Sequence, residues 1–95
     1  MDVVIGILRA HLCIVDSNSL KSKRMVLQSV KMRLRSKFNV SVAEIADQDK
    51  WQRSSLAVVN VGNDKRALNS ALSNIVNFLD TLQRAQLLNH ELEII

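Results

Sequence analysis

Basic side chains at helical spacing are the residues of this sequence best suited to chemistry, and that chemistry is the binding of phosphate. Lys21, Arg24, Lys31 and Arg35 recur at intervals of three, seven and four residues, so on a helix they form one stripe, here called the basic stripe. Ammonium and guanidinium groups bind phosphate oxygens through charge-assisted hydrogen bonds. The segment 19–38 contains seven Lys or Arg and no acid, whereas the rest of the chain contains six against nine Asp or Glu. The net charge of +4 therefore arises from this segment, which predicts a polyanionic partner.

A second group of candidate binding residues follows the turn at residues 47–50. Lys50 and Arg53 would add two cations, and Trp51 between them offers an aromatic face on which a base can stack. A tryptophan beside a turn can equally anchor the packing of a hairpin. The sequence leaves both interpretations of Trp51 open.

Patterns for catalysis or metal binding are weak. Asp47 and Asp49 can be turn residues that accept backbone hydrogen bonds, and as paired carboxylates they have no candidate base or nucleophile beside them. His11, His90 and the single cysteine, Cys13, lack the spacing of metal ligands, and we expect His90 to be a core histidine. Two glycines are too few for a glycine-rich phosphate loop. We therefore expect a non-enzymatic protein without metal or cofactor.

The basic stripe requires a helix to display it, and segment 19–38 has the pattern of one. Ser19 or Asn18 would be the N-cap, and Asn39 a left-handed residue after the C-terminus. Lys23 falls inside the apolar arc near the helix start, where we expect its ammonium group to snorkel to water. The apolar face contains Leu20, Leu27, Val30, Leu34 and Phe38.

Four strands and a second helix complete the pattern. The second helix is predicted to begin at the N-cap Asn63 and to fade near Arg84. The strands are predicted at 3–15, 40–46, 51–61 and 87–95. The order β-α-β-β-α-β predicts a single α+β domain over 1–95. Its architecture would be a ferredoxin-like sandwich, an antiparallel sheet of order 4-1-3-2 with two helices on one face.

This topology would bring separate cations together. The first helix would start at the end of the sheet where the hairpin between strands 2 and 3 turns, and where the second helix finishes. The unpaired N–H groups of that helix start would add to an anion-binding region. The residues expected to gather there are Lys21, Arg24, Lys50, Trp51, Arg53 and Arg84.

The face of the sheet away from the helices is expected to be partly apolar. Ile5 and Ile7 of the first strand, with Val59 and Val61 of the third, would form a patch of the kind that marks an interface. A homodimer or another protein could cover it. The two central strands offer no aromatic side chain past Trp51, so base stacking on the sheet is disfavoured.

Three sequence blocks resemble the YlxP-like family of small bacterial proteins, whose function is unknown. The blocks read SLKSKR, RLRSKFNVSVAEIADQDKWQR and VGND, and the resemblance covers nearly the whole chain. It implies a ferredoxin-like fold and, because family members often lie beside translation and ribosome-maturation genes, a link to RNA or the ribosome. The family usually has an acid where this chain has Ser22, so this helix is more basic than usual.

Two functional hypotheses follow. The first is a cytoplasmic, non-enzymatic RNA- or ribosome-binding accessory protein that holds phosphates with the basic stripe and the hairpin. The second is a structural or regulatory homodimer that binds an acidic protein. The alternative to both is that the basic stripe is only a solvated helix face. The cytoplasm is inferred from the single cysteine and from the absence of an export signal or an apolar run long enough to span a membrane.

Overall fold

The computed structural model describes residues 2–95 and has the predicted order of elements. The sheet order is β2-β3-β1-β4 with every neighbouring pair antiparallel, which is the order 4-1-3-2 read from the other edge. The chain thus has the ferredoxin-like α+β fold. The elements are β1 (Val4–Ile14), α1 (Leu20–Lys37), β2 (Ser41–Ala46), β3 (Arg53–Gly62), α2 (Lys65–Leu79) and β4 (Ala85–Ile94).

Strand β1 lies at the centre of the sheet, and its alternating side chains divide the molecule into two faces. The even-numbered residues from Val4 to Ile14 are buried and the odd-numbered ones are half-buried. The buried set packs with Val26, Leu27, Val30 and Leu34 of α1 and with Leu72, Ile75 and Leu79 of α2. The opposite side of the sheet, which carries the odd-numbered residues of β1, is called the open face below. The predicted alternation of β1 is confirmed.

Both helices start at acceptor side chains. Of the two predicted candidates, Ser19 and not Asn18 caps α1, because the Ser19 Oγ accepts the Ser22 N–H at 3.0 Å. The prediction of Asn63 as the cap of α2 is wrong: Asp64 accepts the Arg66 N–H at 3.0 Å. Asn and Asp are equally good caps, so adjacent ones cannot be separated by propensity.

The ends of both helices differ from the prediction. Helix α2 stops at Leu79, and residues 80–84 form a connection that bonds back to its last turn. Asn39 is not left-handed: among residues 2–95 the only non-glycine residues with positive φ are Asp16 (59°) and Asp47 (65°). Helix α1 ends instead with an extended Phe38, whose N–H still donates to the Leu34 carbonyl.

The two helices are offset along the sheet. The rings of Phe38 and Phe78, at the C-terminal ends of α1 and α2, meet edge to face with centroids 5.9 Å apart. Two antiparallel helices that lay side by side over their full lengths would instead place the C-terminal end of each against the N-terminal end of the other. The molecule is correspondingly long, with extents of 48 × 22 × 21 Å. One flank of α1 is therefore not covered by α2.

The two ends of the described chain lie side by side. Ile5 and Ile95 exchange both of their backbone hydrogen bonds, each 2.8 Å long. The hairpin between β2 and β3 turns at the opposite end of the sheet, where the Ile14 N–H donates to the Gln52 carbonyl at 2.9 Å. Between residues 2 and 95, none of the helices is both long enough and apolar enough to cross a membrane.

Candidate nucleic-acid interface

Three connections of the chain converge at the hairpin end of the sheet. The Gln52 side chain donates to the Ser17 carbonyl at 3.1 Å and joins the hairpin to the turn before α1. The Val15 N–H donates to the Arg84 carbonyl at 2.9 Å and adds the connection between α2 and β4. The segments that carry the candidate residues therefore meet, but α2 does not finish here as predicted. It ends beside the C-terminal end of α1, and the connection 80–84 brings Arg84 to this end of the sheet. This region, here called the basic end, comprises Lys21, Arg24, Lys50, Trp51, Arg53 and Arg84.

The cations of the basic end face solvent. Every Lys and Arg in it is exposed, and within residues 2–95 none of them forms an ion pair. Their charges are thus available to an external anion. Among the other cations of the basic stripe, Lys31 is half-buried and Arg35 is exposed. Arg35 also donates to the Val42 carbonyl of β2 at 3.0 Å, which ties α1 to this edge strand.

Trp51 is 54% exposed, although it is the largest apolar side chain near the hairpin. A packing anchor would be buried against the sheet, so this exposure speaks against that interpretation of Trp51. An exposed indole between Lys50 and Arg53 leaves an aromatic face on which a base can stack.

Arg53 extends the basic end onto the open face. It is paired with Cys13 across β1 and β3, which places its side chain on the open face rather than on the helix side. It borders a shallow cavity of about 280 Å³ together with His11 and Asn89. Lys21 and Arg24 belong to the helical layer, so the cations wrap around the end of the sheet.

Lys23 is the residue that the sequence-based interpretation placed wrongly. Its side chain is 1% exposed and its Nζ lies 3.0 Å from Glu44 Oε2, so the ammonium group does not reach water. It also donates to the carbonyl oxygen of Asp47. Ser54 Oγ donates to the same Glu44 oxygen at 2.7 Å. The snorkelling prediction is wrong because a partner on β2 meets the ammonium group inside the protein.

This cluster fixes the hairpin turn against the first turn of α1. Asp47 adopts a left-handed conformation, and its carbonyl accepts from both the Lys23 ammonium and the Lys50 N–H. Left-handed backbone is unfavourable for most residues and better tolerated by Asp and Asn. Lys23 therefore holds the turn that presents Lys50 and Trp51. Of the seven positive charges in segment 19–38, one is neutralised internally and six remain outside the core.

Sequence reasoning had one signal for the Lys23 cluster. Lys23 falls inside the apolar arc of α1, a position that turns a side chain to the core. Its partner, Glu44, lies 21 residues later on another element. No local pattern connects the two positions, so the pair became visible only in the fold.

Polar side chains also bridge strands on the open face. The two ring nitrogens of His11 lie 2.8 Å from Ser55 Oγ and 2.8 Å from Glu91 Oε2. Arg9 pairs with Glu93 at 3.1 Å beside them. Ser55 is only 5% exposed within a central strand. We interpret the Ser55–His11–Glu91 chain as a link between β3, β1 and β4.

His90 is exposed, which contradicts its expected place in the core. It pairs with Ala10 of β1, but β4 is an edge strand and its middle is not covered. Within residues 2–95, no three His, Cys, Asp or Glu side chains are grouped so that they could hold a metal ion.

Comparison with known proteins assigns the family. Residues 5–92 match the model of a protein family of unknown function, DUF503. The chain belongs to this family. It is also 37% identical over 78 residues to the uncharacterized protein YlxP of Bacillus subtilis (strain 168), a match that covers 82% of this chain and 85% of that protein. The match to DUF503 includes all or most of each of the six elements, and Lys23, Glu44 and the basic end all fall within it.

Proposed function

We propose that this DUF503 protein binds RNA through phosphate contacts made by the basic end and the basic stripe. The observation that carries the proposal is the hydrogen-bonded convergence of three connections, which groups exposed cations that are far apart in sequence. Positive charge concentrated at one end of a molecule attracts a polyanion over a distance of about a Debye length, roughly 8–10 Å. Ribosomal RNA is the candidate that the family resemblance favours, in a role as an accessory to ribosome maturation.

The residues of the basic end would make different contacts with RNA, because they lie on different sides of the sheet. Lys21 and Arg24 would contact phosphates beside the start of α1, where free N–H groups also favour an anion. Arg53 would contact a phosphate on the sheet side, and Trp51 between them would stack on a base. Phosphate contacts position a strand without reading its sequence, so we expect binding with little sequence preference.

The second candidate function, a homodimer, is favoured by the open face. Ile5 pairs with Val61 and Ile7 with Val59 across β1 and β3, and Val61 is 64% exposed. These side chains make a contiguous apolar patch beside the polar chain of His11. We propose that two copies associate through this patch, which leaves the helical layers outward.

The experiment for RNA binding uses charge removal at the two ends of the molecule. Fluorescence anisotropy would measure the binding of a labelled single-stranded ribosomal RNA fragment to the wild type and to Lys21→Ala/Arg24→Ala. The matched control is Lys65→Ala/Arg66→Ala, which removes two exposed cations at the start of α2, at the far end of the sheet. Both variants lose the same charge, so they separate a local site from overall electrostatics.

We expect the Lys21/Arg24 variant to bind at least about tenfold more weakly than the control variant, on the basis that each lost phosphate contact removes a charge-assisted hydrogen bond of about 1.5–3 kcal/mol. Equal losses of RNA affinity in the two variants would mean that the overall net charge, and not a local site, explains the binding. Unchanged binding by the Lys21/Arg24 variant would show that the basic stripe is only solvated, and the proposal would then be wrong.

A further inference from the structure

A groove runs along the flank of α1 that α2 leaves uncovered. Its first part is a hollow of about 430 Å³ between α1 and the connection that leads to β4. Its second part is a depression of about 370 Å³ over the ring of Phe78. Arg33 lines both parts, which follow one another along the same flank of the helix and are together called the α1 groove. From Met25 to Lys37 it follows thirteen residues of helix, a rise of about 18 Å at 1.5 Å per residue.

The α1 groove and the basic stripe lie on opposite flanks of the same helix. Arg35 of the stripe bonds to edge strand β2, whereas Arg33 and Lys37 face the side of α2, with their charged groups 5.2 Å and 5.1 Å from the centroid of Phe78. Arg84 is shared, because it belongs to the basic end and also lines the groove. The RNA proposal gives no role to Arg33, Lys37 or the groove methionines, so variants that leave Arg84 unchanged address the second flank alone. The two surfaces can therefore be tested independently.

The lining of the α1 groove combines apolar side chains with unpaired cations. Met25 and Met32, one above the other on α1, are 65% and 61% exposed. Flexible methionines suit a surface that repacks around a partner's apolar side chains. Arg33, Lys37 and Arg84 supply the charge, and within residues 2–95 none of them forms an ion pair. No Asp or Glu of the described residues lines either part of the groove.

We infer that the α1 groove binds an acidic amphipathic helix of a partner protein. Its length corresponds to about three helical turns, which suits a helix laid in a groove and exceeds what a small anion would use. The apolar side chains of the partner helix would contact Met25, Met32 and the floor formed by Val26 and Val30. Its carboxylates would pair with Arg33 and Lys37. RNA is disfavoured here because the face of Phe78, the aromatic ring in the lining, is already covered by Arg33 and Lys37.

The test uses a fluorescein-labelled designed peptide of about four helical turns, with leucines on one face and glutamates on the others. A peptide of the same composition with its leucines scattered is the control for amphipathicity. Binding of both peptides would be measured by anisotropy for the wild type, for Arg33→Glu/Lys37→Glu, for Met25→Ala/Met32→Ala and for Lys21→Glu/Arg24→Glu. The last variant reverses the same amount of charge on the opposite flank. Circular dichroism would establish that each variant is folded.

We expect the amphipathic peptide to bind the wild type more tightly than the scattered peptide. Arg33→Glu/Lys37→Glu should weaken that binding at least about tenfold, and Lys21→Glu/Arg24→Glu less than about threefold. The methionine variant should reduce the preference for the amphipathic peptide. Equal losses from the two charge reversals, or equal binding of the two peptides, would overturn the inference.

The same variants distinguish this inference from the RNA proposal. If Arg33→Glu/Lys37→Glu abolishes RNA binding while Lys21→Glu/Arg24→Glu does not, the α1 groove is an RNA surface and the protein-partner inference is wrong. If neither reversal affects RNA binding but the groove reversal still weakens peptide binding, the RNA proposal fails and the inference stands.

Discussion

Lys23 Nζ lies 3.0 Å from Glu44 Oε2, in a contact where the lysine side chain is 1% exposed and the glutamate side chain 20% exposed. The pair is thus unequal: one partner is sealed in the protein while the other keeps access to water. Removing one member of a buried ion pair leaves an uncompensated charge, whose cost depends on how far that charge is from solvent. Removing Glu44 and removing Lys23 should therefore lower the free energy of unfolding by different amounts.

We expect Glu44→Gln to destabilise the protein more than Lys23→Met. Without Glu44, the ammonium group stays buried, and the free energy of unfolding should fall by about 3–5 kcal/mol. Without Lys23, Glu44 keeps its bond from Ser54 and its contact with water, so the loss should be about 1–3 kcal/mol. Urea denaturation would measure both, with Lys21→Met on the exposed face as the control. The reverse order of the two losses would contradict the arrangement described here.

Leu34 is fully buried between α1 and the sheet. Leu34→Ala should lower the free energy of unfolding by about 2–5 kcal/mol, because it removes apolar contacts and leaves a cavity. Ser36→Ala, on the exposed side of the same helix turn, is the matched control and should stay within about 0.5 kcal/mol. Thermal or urea unfolding would compare the two variants. A loss of under about 1 kcal/mol for Leu34→Ala would mean that α1 is not packed on the sheet as described.

Trp51→Ala separates a binding role from a packing role. Since Trp51 is 54% exposed, its removal should change the free energy of unfolding by less than about 1 kcal/mol. If a base stacks on the indole, Trp51→Ala should make the free energy of RNA binding less favourable by about 1–3 kcal/mol. Trp51→Phe should retain part of that binding. A variant that unfolds easily but binds RNA normally would make Trp51 a packing residue after all.

The salt dependence of RNA binding counts the phosphates that the protein contacts. With about four phosphates held by Lys21, Arg24, Lys31 and Arg53, the slope of log K against log salt should be near −3, at about 0.7 per phosphate on a single strand. Arg24→Ala should make the slope shallower by about 0.7 and weaken all sequences alike. A salt series of anisotropy titrations would measure it. An unchanged slope would show that Arg24 does not contact a phosphate of the RNA.

Val59 tests the association of two copies through the open face. It lies half-buried opposite Ile7, so Val59→Lys would put a charge in the apolar patch without entering the core. We expect the wild type to sediment as a dimer in analytical ultracentrifugation and the variant as a monomer with an unchanged melting temperature. Ala67→Lys, on an exposed position of α2, is the control and should remain dimeric. A wild type that is monomeric at high concentration would exclude the homodimer.

The fold was predictable because its signals are local and repeated. The two-residue alternation of β1 and the cap at Ser19 each follow from a short stretch of sequence, and the order of elements then leaves few topologies. The misplaced details depend on neighbours that are distant in sequence. Lys23 is buried because Glu44 meets it, and His90 is exposed because β4 is an edge strand.

The candidate site was predictable to the same extent. Its cations could be grouped from topology alone, since the start of α1 and the hairpin had to lie at one end of the sheet. The left-handed conformation of Asp47 could not be predicted, because it depends on how the hairpin turn fits against α1. The offset of the two helices, which opens the α1 groove, depends on the contact between Phe38 and Phe78 rather than on either helix alone.

The exchange of backbone hydrogen bonds between Ile5 and Ile95 determines how this protein can be attached to something else. Both ends of the described chain lie far from the hairpin, so a fluorescent fusion or a surface tether joined at either end leaves the basic end pointing away from the attachment. Their adjacency also means that a short linker can join them. A circular permutant reopened in an exposed turn would then keep every strand pairing of the sheet.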